Sequence, residues 1–325
     1  MRRRDFIAFA GGGLAAASPF AARAQQPVTV GFLRDATATG SETIVGGLRR
    51  GLAEAGFVEG KNLIIDIAMT EGDSDRLPAL AAALVARRPP VIVSSALNAT
   101  IAATAATSTI PIVFAIANDA VEFGLIASLS HPGGNLTGVN YLSAELAAKR
   151  LGLMHEILPK VTRFALLVHP TYQESAPLIR DAQAAAGQMG FQVEIFNAAT
   201  EKEIDSAFAA MAARGFGALL SGNHPMYTTH QAYITGLAAR YAIPTIYPQL
   251  EYAEVGGLIT YGPSLPDVYR LAGGYAGRIL KGDKPADLPV VQPINFEMAI
   301  NLKSAKALSL EIPPTLLARA EKVVE

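Results

Sequence analysis

Short runs of β-branched and other apolar residues alternate with longer segments of helical periodicity along most of this chain. Between the first two runs, Ile44, Leu48 and Leu52 fall on one helical face, and Gly56 is placed to end that helix. Alternation of this kind predicts βαβ units built around a parallel sheet. The strand-like runs of the first half are residues 28–33 (VTVGFL), 62–69 (NLIIDIAM), 90–94 (PVIVS) and 111–115 (PIVFA).

The alternation restarts after a turn-rich interruption at residues 132–138, which predicts a second α/β unit and a boundary near residues 135–142. Thr200 followed by Glu203 is a capping-box signature for one of its helices. The last 65 residues contain further strand-like and helical segments, and the pattern alone does not decide to which of the two α/β units they belong. The strand-like runs of the second unit are residues 164–168 (FALLV), 191–196 (FQVEIF), 218–221 (ALLS) and 244–247 (PTIY).

The first 24 residues have the composition of an export signal. Arginines at positions 2–4 precede an apolar stretch at residues 6–17, and Ala22-Arg23-Ala24 supplies small residues at a signal-peptidase site. The adjacent Arg3 and Arg4 indicate the twin-arginine route. We therefore expect a signal peptide over residues 1–24, cleaved after Ala24, and a mature protein in the periplasm without a lipid anchor. An uncleaved N-terminal anchor is the alternative.

Composition excludes several classes of function. Half of the 325 residues are hydrophobic and 17% are charged, the balance of a globular protein with a large core. The formal net charge is -1 and no basic stripe is present, so we expect no nucleic-acid partner. The absence of cysteine excludes disulfides, thiolate metal sites and a cysteine nucleophile.

No enzyme or cofactor motif is complete in this chain. Gly56, Gly60 and Lys61 resemble a phosphate-binding loop, but the spacing is one residue short and Asn62 replaces the Ser or Thr that would bind magnesium. Neither G-x-S-x-G nor H-E-x-x-H occurs, and the five histidines do not have metal-ligand spacing. We expect no catalytic residues, no metal and no cofactor.

Polar side chains follow the predicted strands at the points where they end. Ligands of open α/β sheets bind beyond the carboxyl ends of the strands, so these side chains are the candidate ligand-binding residues. Tyrosines that could supply stacking surfaces join the set, although tyrosine in such strands is more often part of the core. The ligand-binding candidates are Arg34, Asp35, Ser94, Ser95, Asn118, Asp119, Tyr141, Tyr172, Asn223, Tyr247 and Glu251. His169, Glu174, His224, Gln249 and Tyr252 occupy similar positions.

The chemistry of these candidates suits a small charged solute. Ser94 and Ser95 precede a predicted helix start near Leu97, and hydroxyls beside helix N-terminal amides suit a carboxylate. Asp119 and Glu251 are placed to hold an ammonium group. An amino acid with an aromatic or branched side chain, or another small carboxylate, is the expected ligand.

Long ordered segments of the chain resemble one known family, the ABC transporter substrate-binding proteins related to the tryptophan-binding type. The resemblance covers nearly the whole chain. It is carried by the Arg-Arg-x-Phe-Ile start with ARAQQ, and by GLAEAGFVEGKNLIIDI (51–67), ATSTIPIVF (106–114), HPGGNLTGV (131–139), AIPTIY (242–247), EVGGLITYGPS (254–264) and EIPPTLLARA (311–320).

The resemblance implies a type I periplasmic binding protein, an α/β fold with two Rossmann-like lobes joined by three crossovers. It assigns residues 28–139 and 262–286 to the N-terminal lobe, and residues 140–261 and 287–325 to the C-terminal lobe. It also implies that Ser95 and Asp119 line the cleft between the lobes. The chain departs from the family pattern at Ala120, where proline is usual, and at His169, where asparagine is favoured.

These observations predict a periplasmic solute-binding protein that closes on a small molecule by a hinge and delivers it to an ABC importer. Its expected partners are the solute and the ABC permease of the inner membrane, and the expected oligomeric state is a monomer. The alternatives are a ligand-sensing module for a membrane receptor and an exported enzyme. Missing nucleophile and metal patterns argue against the enzyme.

Overall fold

The structure is a computed structural model, and it describes residues 26–38, 41–141, 146–292 and 295–325. The predicted signal peptide, residues 1–24, lies outside these ranges. The described part of the chain forms two sheets covered by helices on both faces. Within it, no helix is long and apolar enough to cross a membrane.

The strands belong to one all-parallel sheet and one mixed sheet. They are β1 (Val28–Arg34), β2 (Leu63–Met69), β3 (Val91–Ser95), β4 (Ile112–Ile116), β5 (Leu136–Asn140), β6 (Arg163–Val168), β7 (Gln192–Asn197), β8 (Ala218–Ser221), β9 (Thr245–Tyr247), β10 (Ile259–Pro263), β11 (Phe296–Asn301) and β12 (Lys322–Val324). Their order is β2-β1-β3-β4-β5 in the first sheet and β12-β11-β10-β9-β8-β6-β7 in the second. Only β10 and β11 pair antiparallel among the strands described.

The longer helices occupy the connections that the alternating pattern predicts. They are α1 (Glu42–Glu54), α2 (Leu77–Ala86), α3 (Leu97–Ala106), α4 (Ala147–Ile157), α5 (Ser175–Met189), α6 (Glu201–Ala213), α7 (Pro225–Thr229), α8 (Gln231–Arg240), α9 (Glu251–Glu254), α10 (Leu265–Leu280), α11 (Leu302–Ala307) and α12 (Pro314–Leu317). The short helices α7, α9, α11 and α12 are not predicted by that pattern. Thr200 caps α6 as its capping box predicts, because its hydroxyl accepts from the Glu203 N–H at 3.2 Å.

The first lobe buries one apolar cluster on each face of its sheet. Helices α1 and α10 cover one face, with Leu48, Leu52 and Ala272 in the cluster, while α2 and α3 cover the other. Helix α10 follows β10 of the second sheet, so the chain returns to the first lobe to complete it. The second lobe has two clusters of the same kind on the faces of its own sheet.

The packing moves the predicted lobe boundaries by a few residues. Tyr141 is buried in the first lobe, two residues beyond the predicted end at residue 139. Gly262 and Pro263 pair with β11 in the second sheet, although the prediction gives them to the first lobe. Leu288 and Val290 lie in first-lobe clusters, so the last crossing comes after residue 291 and not at residue 287.

Candidate functional site

A cavity of about 150 Å³ lies between the two lobes. Its first-lobe wall comes from the carboxyl ends of β1 and β3 and from α10, and its second-lobe wall comes from the segments after β6, β8 and β9. The lining is Arg34, Asp35, Ala36, Thr37, Thr43, Ile44, Ser95, Ala96, Tyr141, Leu265 and Tyr269 from the first lobe, and Tyr172, Asn223, Pro225, Thr228, Thr229, Gln231, Gln249 and Glu251 from the second.

Hydroxyl groups hold the Arg34 guanidinium at the first-lobe wall. Its Nη1 donates to Ser95 Oγ at 2.8 Å and its Nε donates to Ser41 Oγ at 3.0 Å. Ser95 Oγ also bonds the Tyr269 hydroxyl, so residues from β3 and α10 meet at this point. No ion pair among the described residues includes Arg34. The guanidinium is thus oriented without its charge being neutralised.

The start of α3 adds a second positive feature beside Arg34. Ala96 precedes the helix with φ 75° and ψ 162°, a conformation that residues other than glycine rarely adopt, and it lines the cavity. The N-terminus of a helix carries partial positive charge on its free amides, which favours an anion there. Ala96 thus places the N-terminus of this ten-residue helix at the cavity wall.

Asp35 presents a carboxylate next to Arg34 on the same wall. It is 6% exposed and accepts hydrogen bonds from Thr70 Oγ1 at 3.1 Å, Ser74 Oγ at 2.8 Å and Asn98 Nδ2 at 3.3 Å. Neutral donors therefore fix its position, and no described ion pair includes it. Arg34 and Asp35 together offer one positive and one negative group within a single wall.

The second-lobe wall is a connected hydrogen-bond network. Thr228 Oγ1 donates to Gln249 Oε1 at 3.1 Å, and Gln249 Nε2 donates to Asn223 Oδ1 at 3.1 Å. Asn223 Nδ2 donates in turn to Glu174 Oε2 at 3.3 Å. One N–H of each amide is thus directed along the wall, which holds both side chains in place.

Glu174 is a buried acid behind that wall. It is 5% exposed, and its Oε1 has no hydrogen-bond partner among the described residues. Burial raises the pKa of its carboxyl to about 7, although hydrogen bonds from Tyr172 and Asn223 act in the opposite direction. Burial raises the pKa of Tyr141 and Tyr269 in the first lobe, and the charge of Glu174 adds to both rises. Glu174 therefore acts electrostatically on the first-lobe wall.

Glu251 is the second carboxylate that lines the cavity, at the first residue of α9. Burial raises the pKa of its carboxyl, repulsion from Glu254 and Glu297 adds to the rise, and Lys322 opposes it. Lys322 pairs with Glu254, and no ion pair among the described residues includes Glu251. The second lobe thus brings an acid without a cation to the cavity.

A second cavity of about 250 Å³ adjoins the first. Asp35, Ala36, Thr37, Pro225 and Thr229 line both, so the two cavities lie side by side between the lobes. Its remaining lining is Gly72, Ser74, His224, Met226 and His230.

His224 contributes a neutral imidazole to the second cavity. Its ring stacks on that of His169 with centroids 3.9 Å apart and planes 8° apart. Burial and, to a smaller extent, the neighbouring His169 together lower the pKa of His224 to about 3. The wall at this point is uncharged at physiological pH.

The family model for ABC transporter substrate binding proteins matches residues 36–324. The chain belongs to this family. The family is one of binding proteins rather than enzymes, and membership confirms the family predicted from the sequence.

Individual relatives cover most of the chain. A tyrosine-binding protein of Clostridioides difficile is 25% identical over 266 residues, which are 82% of this chain and 76% of that protein. The structure of an ABC domain from Streptococcus pneumoniae in complex with L-Trp is 26% identical, with a TM-score of 0.84 over 92% of this chain and 100% of the other.

A conserved domain protein from Vibrio cholerae gives the same identity, 26%, with a TM-score of 0.85 and the same shares of the two chains. These likenesses confirm the predicted fold class, an α/β protein with two Rossmann-like lobes.

Most of the residues predicted from the strand ends meet at the inter-lobe cavity. Those that line it are Arg34, Asp35, Ser95, Tyr141, Tyr172, Asn223 and Glu251. Gln249, noted in the sequence for its position after a strand, lines it as well. Whether these side chains bind a ligand stays a prediction, but the geometry brings them within one small space.

Four predicted residues lie outside the cavity lining. Ser94 is fully buried and its Oγ bonds Thr100 Oγ1 at 2.9 Å within the lobe. Asp119 caps its own loop, because Oδ1 accepts from the N–H groups of residues 121 and 122 at 2.8 and 3.3 Å. Tyr247 packs in the core, its ring stacked on that of Tyr252 with centroids 4.5 Å apart.

Asn118, the fourth, is 2% exposed, and neither polar atom of its side chain has a partner among the described residues. Its amide therefore lies under the cleft surface and not in the cavity lining.

Sequence reasoning missed Tyr269 and Thr228. Tyr269 belongs to α10, for which the sequence pattern predicts a helix and no site residue, and it reaches Ser95 across 174 positions of sequence. The signal available was the family resemblance, which already assigned this helix to the first lobe. Thr228 follows the third strand of the second unit by several residues, within the short helix α7.

Proposed function

We propose that this chain binds an α-amino acid between its lobes in the periplasm and delivers it to an ABC permease of the inner membrane. The observation that carries the proposal is the cavity wall in which Arg34 and Ser95 stand beside Asp35. A zwitterionic head group has its carboxylate and ammonium on one carbon. Adjacent positive and negative groups on one wall are complementary to that arrangement.

The two ends of the head group have distinct partners. The carboxylate faces the Arg34 guanidinium and the N-terminus of α3, where charge-assisted hydrogen bonds form. The ammonium faces the Asp35 carboxylate, whose other hydrogen bonds all come from neutral groups. Binding thus supplies each buried charge with a counter-charge that the empty protein lacks.

The volume of the site favours a large amino acid. A dry cavity of ~150 Å³ is large enough for benzene, and the first cavity has this size before the adjoining space is counted. The side chain can therefore extend past the shared wall toward Met226 and the neutral His224 ring. The L-Trp complex of one relative and the tyrosine-binding name of another support an aromatic side chain.

A site shared by both lobes supports delivery to a permease. A ligand that contacts both walls stabilises the closed arrangement relative to the open one, by the difference in its affinity for the two. Membership of a substrate-binding family of ABC transporters supports this use of closure. The permease then receives the solute from the closed form.

A ligand screen tests the proposal. Thermal shifts of the mature chain against the twenty amino acids should identify a ligand that raises the melting temperature in a concentration-dependent way. With L-Trp as the ligand, tryptamine and 3-indolepropionate should bind at least ~tenfold more weakly, because each lacks one charged group of the head.

Two arginine variants separate the site from general charge effects. Arg34→Met should abolish binding of the amino acid. Arg49→Met should leave it unchanged, because Arg49 is exposed and pairs with Glu59 far from the cavity. Retention of full affinity in Arg34→Met, or absence of any shift with all twenty amino acids, would contradict the proposal.

Export through the twin-arginine route is a prediction about residues outside the described ranges. Replacing Arg3 and Arg4 with lysine should retain precursor in the cytoplasm, and N-terminal sequencing of the wild-type periplasmic protein should begin at Gln25. Cell fractionation makes the measurement. Normal amounts of mature protein in the periplasm of the double variant would exclude this route.

A further inference from the structure

We infer that Glu251 selects amino acids whose side chain carries a hydrogen-bond donor, by accepting that hydrogen bond from the second-lobe wall. The inference rests on the proposed function, since it concerns the far end of the same ligand. It names a specificity-determining residue and a substrate class: amino acids with a hydroxyl, an indole N–H or an ammonium group at the end of the side chain.

The charges that line the cavity do not balance against an amino-acid head group. Among the residues that the structure describes, the lining contains one guanidinium, Arg34, two carboxylates, Asp35 and Glu251, and otherwise neutral side chains. The head group supplies one negative and one positive charge. After Arg34 and one carboxylate are satisfied, one carboxylate is left over.

Position decides which carboxylate is left over. Asp35 follows Arg34 directly in the chain and shares its wall, so these two match charges that sit on a single carbon. Glu251 belongs to the other lobe, at the start of α9 after β9. It therefore faces the part of the ligand that points away from the first-lobe wall.

The Glu251 carboxylate can still accept a hydrogen bond from a ligand. Its own backbone N–H donates one hydrogen bond to it, and no other hydrogen bond or ion pair among the described residues includes its side chain. Lys322, which attracts it, is paired with Glu254, while Glu254 and Glu297 repel it. Because a carboxylate has two oxygens that accept hydrogen bonds, a donor on the ligand finds acceptor capacity here.

The rest of the second-lobe wall does not compete for this role. Gln249 and Asn223 each direct an N–H into the network that ends at Glu174. Thr228 donates its hydroxyl hydrogen bond to Gln249. The second N–H of each amide is not used in this network, and Glu251 supplies the only carboxylate among the described lining residues of this lobe, which makes it the strongest acceptor there.

Matched ligand pairs test the inference by calorimetry on the mature chain. The pairs are L-Tyr and L-Phe, L-Trp and 3-(3-benzothienyl)-L-alanine, and L-Lys and L-norleucine, in which only the first member has the side-chain donor. We expect the donor-bearing member of the best-bound pair to bind about ten- to hundredfold more tightly. The pair with the largest ratio identifies which donor the site takes.

Variants of two glutamates assign that preference. Glu251→Leu should bring the ratio close to one, and Glu251→Gln, which keeps a neutral acceptor, should give an intermediate ratio. Glu311→Leu is the control, because Glu311 is exposed, lies outside the cavity lining and is not among the charged groups that act on Glu251, and it should keep the wild-type ratio. Melting curves without ligand verify that each variant folds.

Three results would overturn the inference. A wild-type ratio near one in every pair shows that no side-chain donor is selected, and an unchanged ratio in Glu251→Leu shows that another residue selects it. An equal loss for both members of a pair in Glu251→Leu shows that Glu251 holds the ammonium of the head group. In these cases amino acids still bind, so the proposed function stands; if none binds, the proposed function fails as well.

Discussion

Individual residues at the cleft divide into those that face the cavity and those that support the loops around it, and neighbours in sequence can differ. Ser95 bonds Arg34 and Tyr269 in the cavity wall, whereas Ser94, one position earlier, bonds Thr100 inside the lobe. Alternate residues of a strand point to opposite faces, so only one of two adjacent serines can reach the ligand.

Ser95 and Asp119 should therefore respond differently to substitution. Ser95→Ala removes a bond that orients Arg34, and we expect it to weaken amino-acid binding about tenfold. Asp119→Ala removes a loop cap, and we expect a loss of about 1 kcal/mol of stability in the empty protein with the dissociation constant unchanged. Calorimetry and urea unfolding of both variants make the comparison. An affinity loss in Asp119→Ala equal to that in Ser95→Ala would contradict it.

The buried acid Glu174 links stability to pH. Its pKa rises from 4.5 to about 7 on folding because burial disfavours the charged form, so the folded state binds the extra proton between these values. The contribution of the Glu174 carboxyl to the free energy of unfolding is fully present below pH 4.5 and is lost as the pH rises through 7. Above that, Glu174→Gln should be more stable than wild type by up to about 3 kcal/mol.

Urea unfolding at pH 4.5 and pH 8 measures this effect. The two proteins should have similar stability at pH 4.5, and only at pH 8 should the variant exceed wild type. Glu311→Gln, at an exposed glutamate, serves as the control and should show no such divergence. A constant difference between Glu174→Gln and wild type at both pH values would contradict the assignment.

Among the elements, α10 has the greatest influence on the site although it follows a strand of the other lobe. It packs against α1 through glycines, and a Cβ atom at Gly51 would lie 1.9 Å from the Arg270 carbonyl oxygen. The close crossing places Tyr269 of α10 against Ser95 in the cavity wall. The glycines of α1 thus determine how close α10 lies to the cavity.

Two alanine substitutions on α1 distinguish the effect of helix propensity on stability from the effect of the close contact between α1 and α10. Gly51→Ala should destabilise the protein by at least about 2 kcal/mol, because backbone atoms have to move, and it should weaken ligand binding through Tyr269. Gly46→Ala meets no atom within 4 Å and should stabilise the protein by about 0.5–1 kcal/mol. Denaturant unfolding measures both. A stabilising Gly51→Ala would show that α1 and α10 are farther apart than described.

At the scale of the whole molecule, the site exists only where the two lobes approach each other. Glu174 of the second lobe raises the pKa of Tyr141 in the first, and Arg180 pairs with Glu122 across the lobes at 3.2 Å. The side chains of Arg180 and Glu122 are 60% and 49% exposed. Ion pairs as exposed as this one contribute about 0–1 kcal/mol to stability. The bound ligand, rather than this pair, should provide most of the free energy of closure.

Closure predicts a change of shape in solution. Small-angle scattering should show a monomer whose radius of gyration decreases when a saturating amino acid is added. Arg180→Gln should leave the size of this decrease nearly unchanged, because the exposed pair contributes little. A radius of gyration that does not change with ligand would count against hinge closure. A mass of twice the monomer would count against the predicted oligomeric state.

Local sequence determined the elements and much of the site. The alternation of strand-like and helical runs predicts two α/β units, because periodicities of two and 3.6 report which face of each element is buried. Since the carboxyl ends of parallel strands meet at one edge of a sheet, this rule places residues at the ends of β1 and β3 at the cleft. Arg34, Asp35 and Ser95 line the cavity there, and their role in ligand binding stays a prediction.

Tertiary structure decided what depends on contacts between distant segments. Tyr269 lies in the cavity wall only because the chain returns from the second sheet to the first lobe at α10. The pKa of Glu174 is near neutral only because folding removes water from its carboxyl. Asp119 has a side chain that could bind a ligand, but its carboxylate instead accepts hydrogen bonds from nearby backbone N–H groups. A strand's own sequence specifies where its end lies along a sheet. Which polar group there stays free for a ligand depends on the donors that neighbouring segments bring to it, and those are fixed by packing across the whole chain.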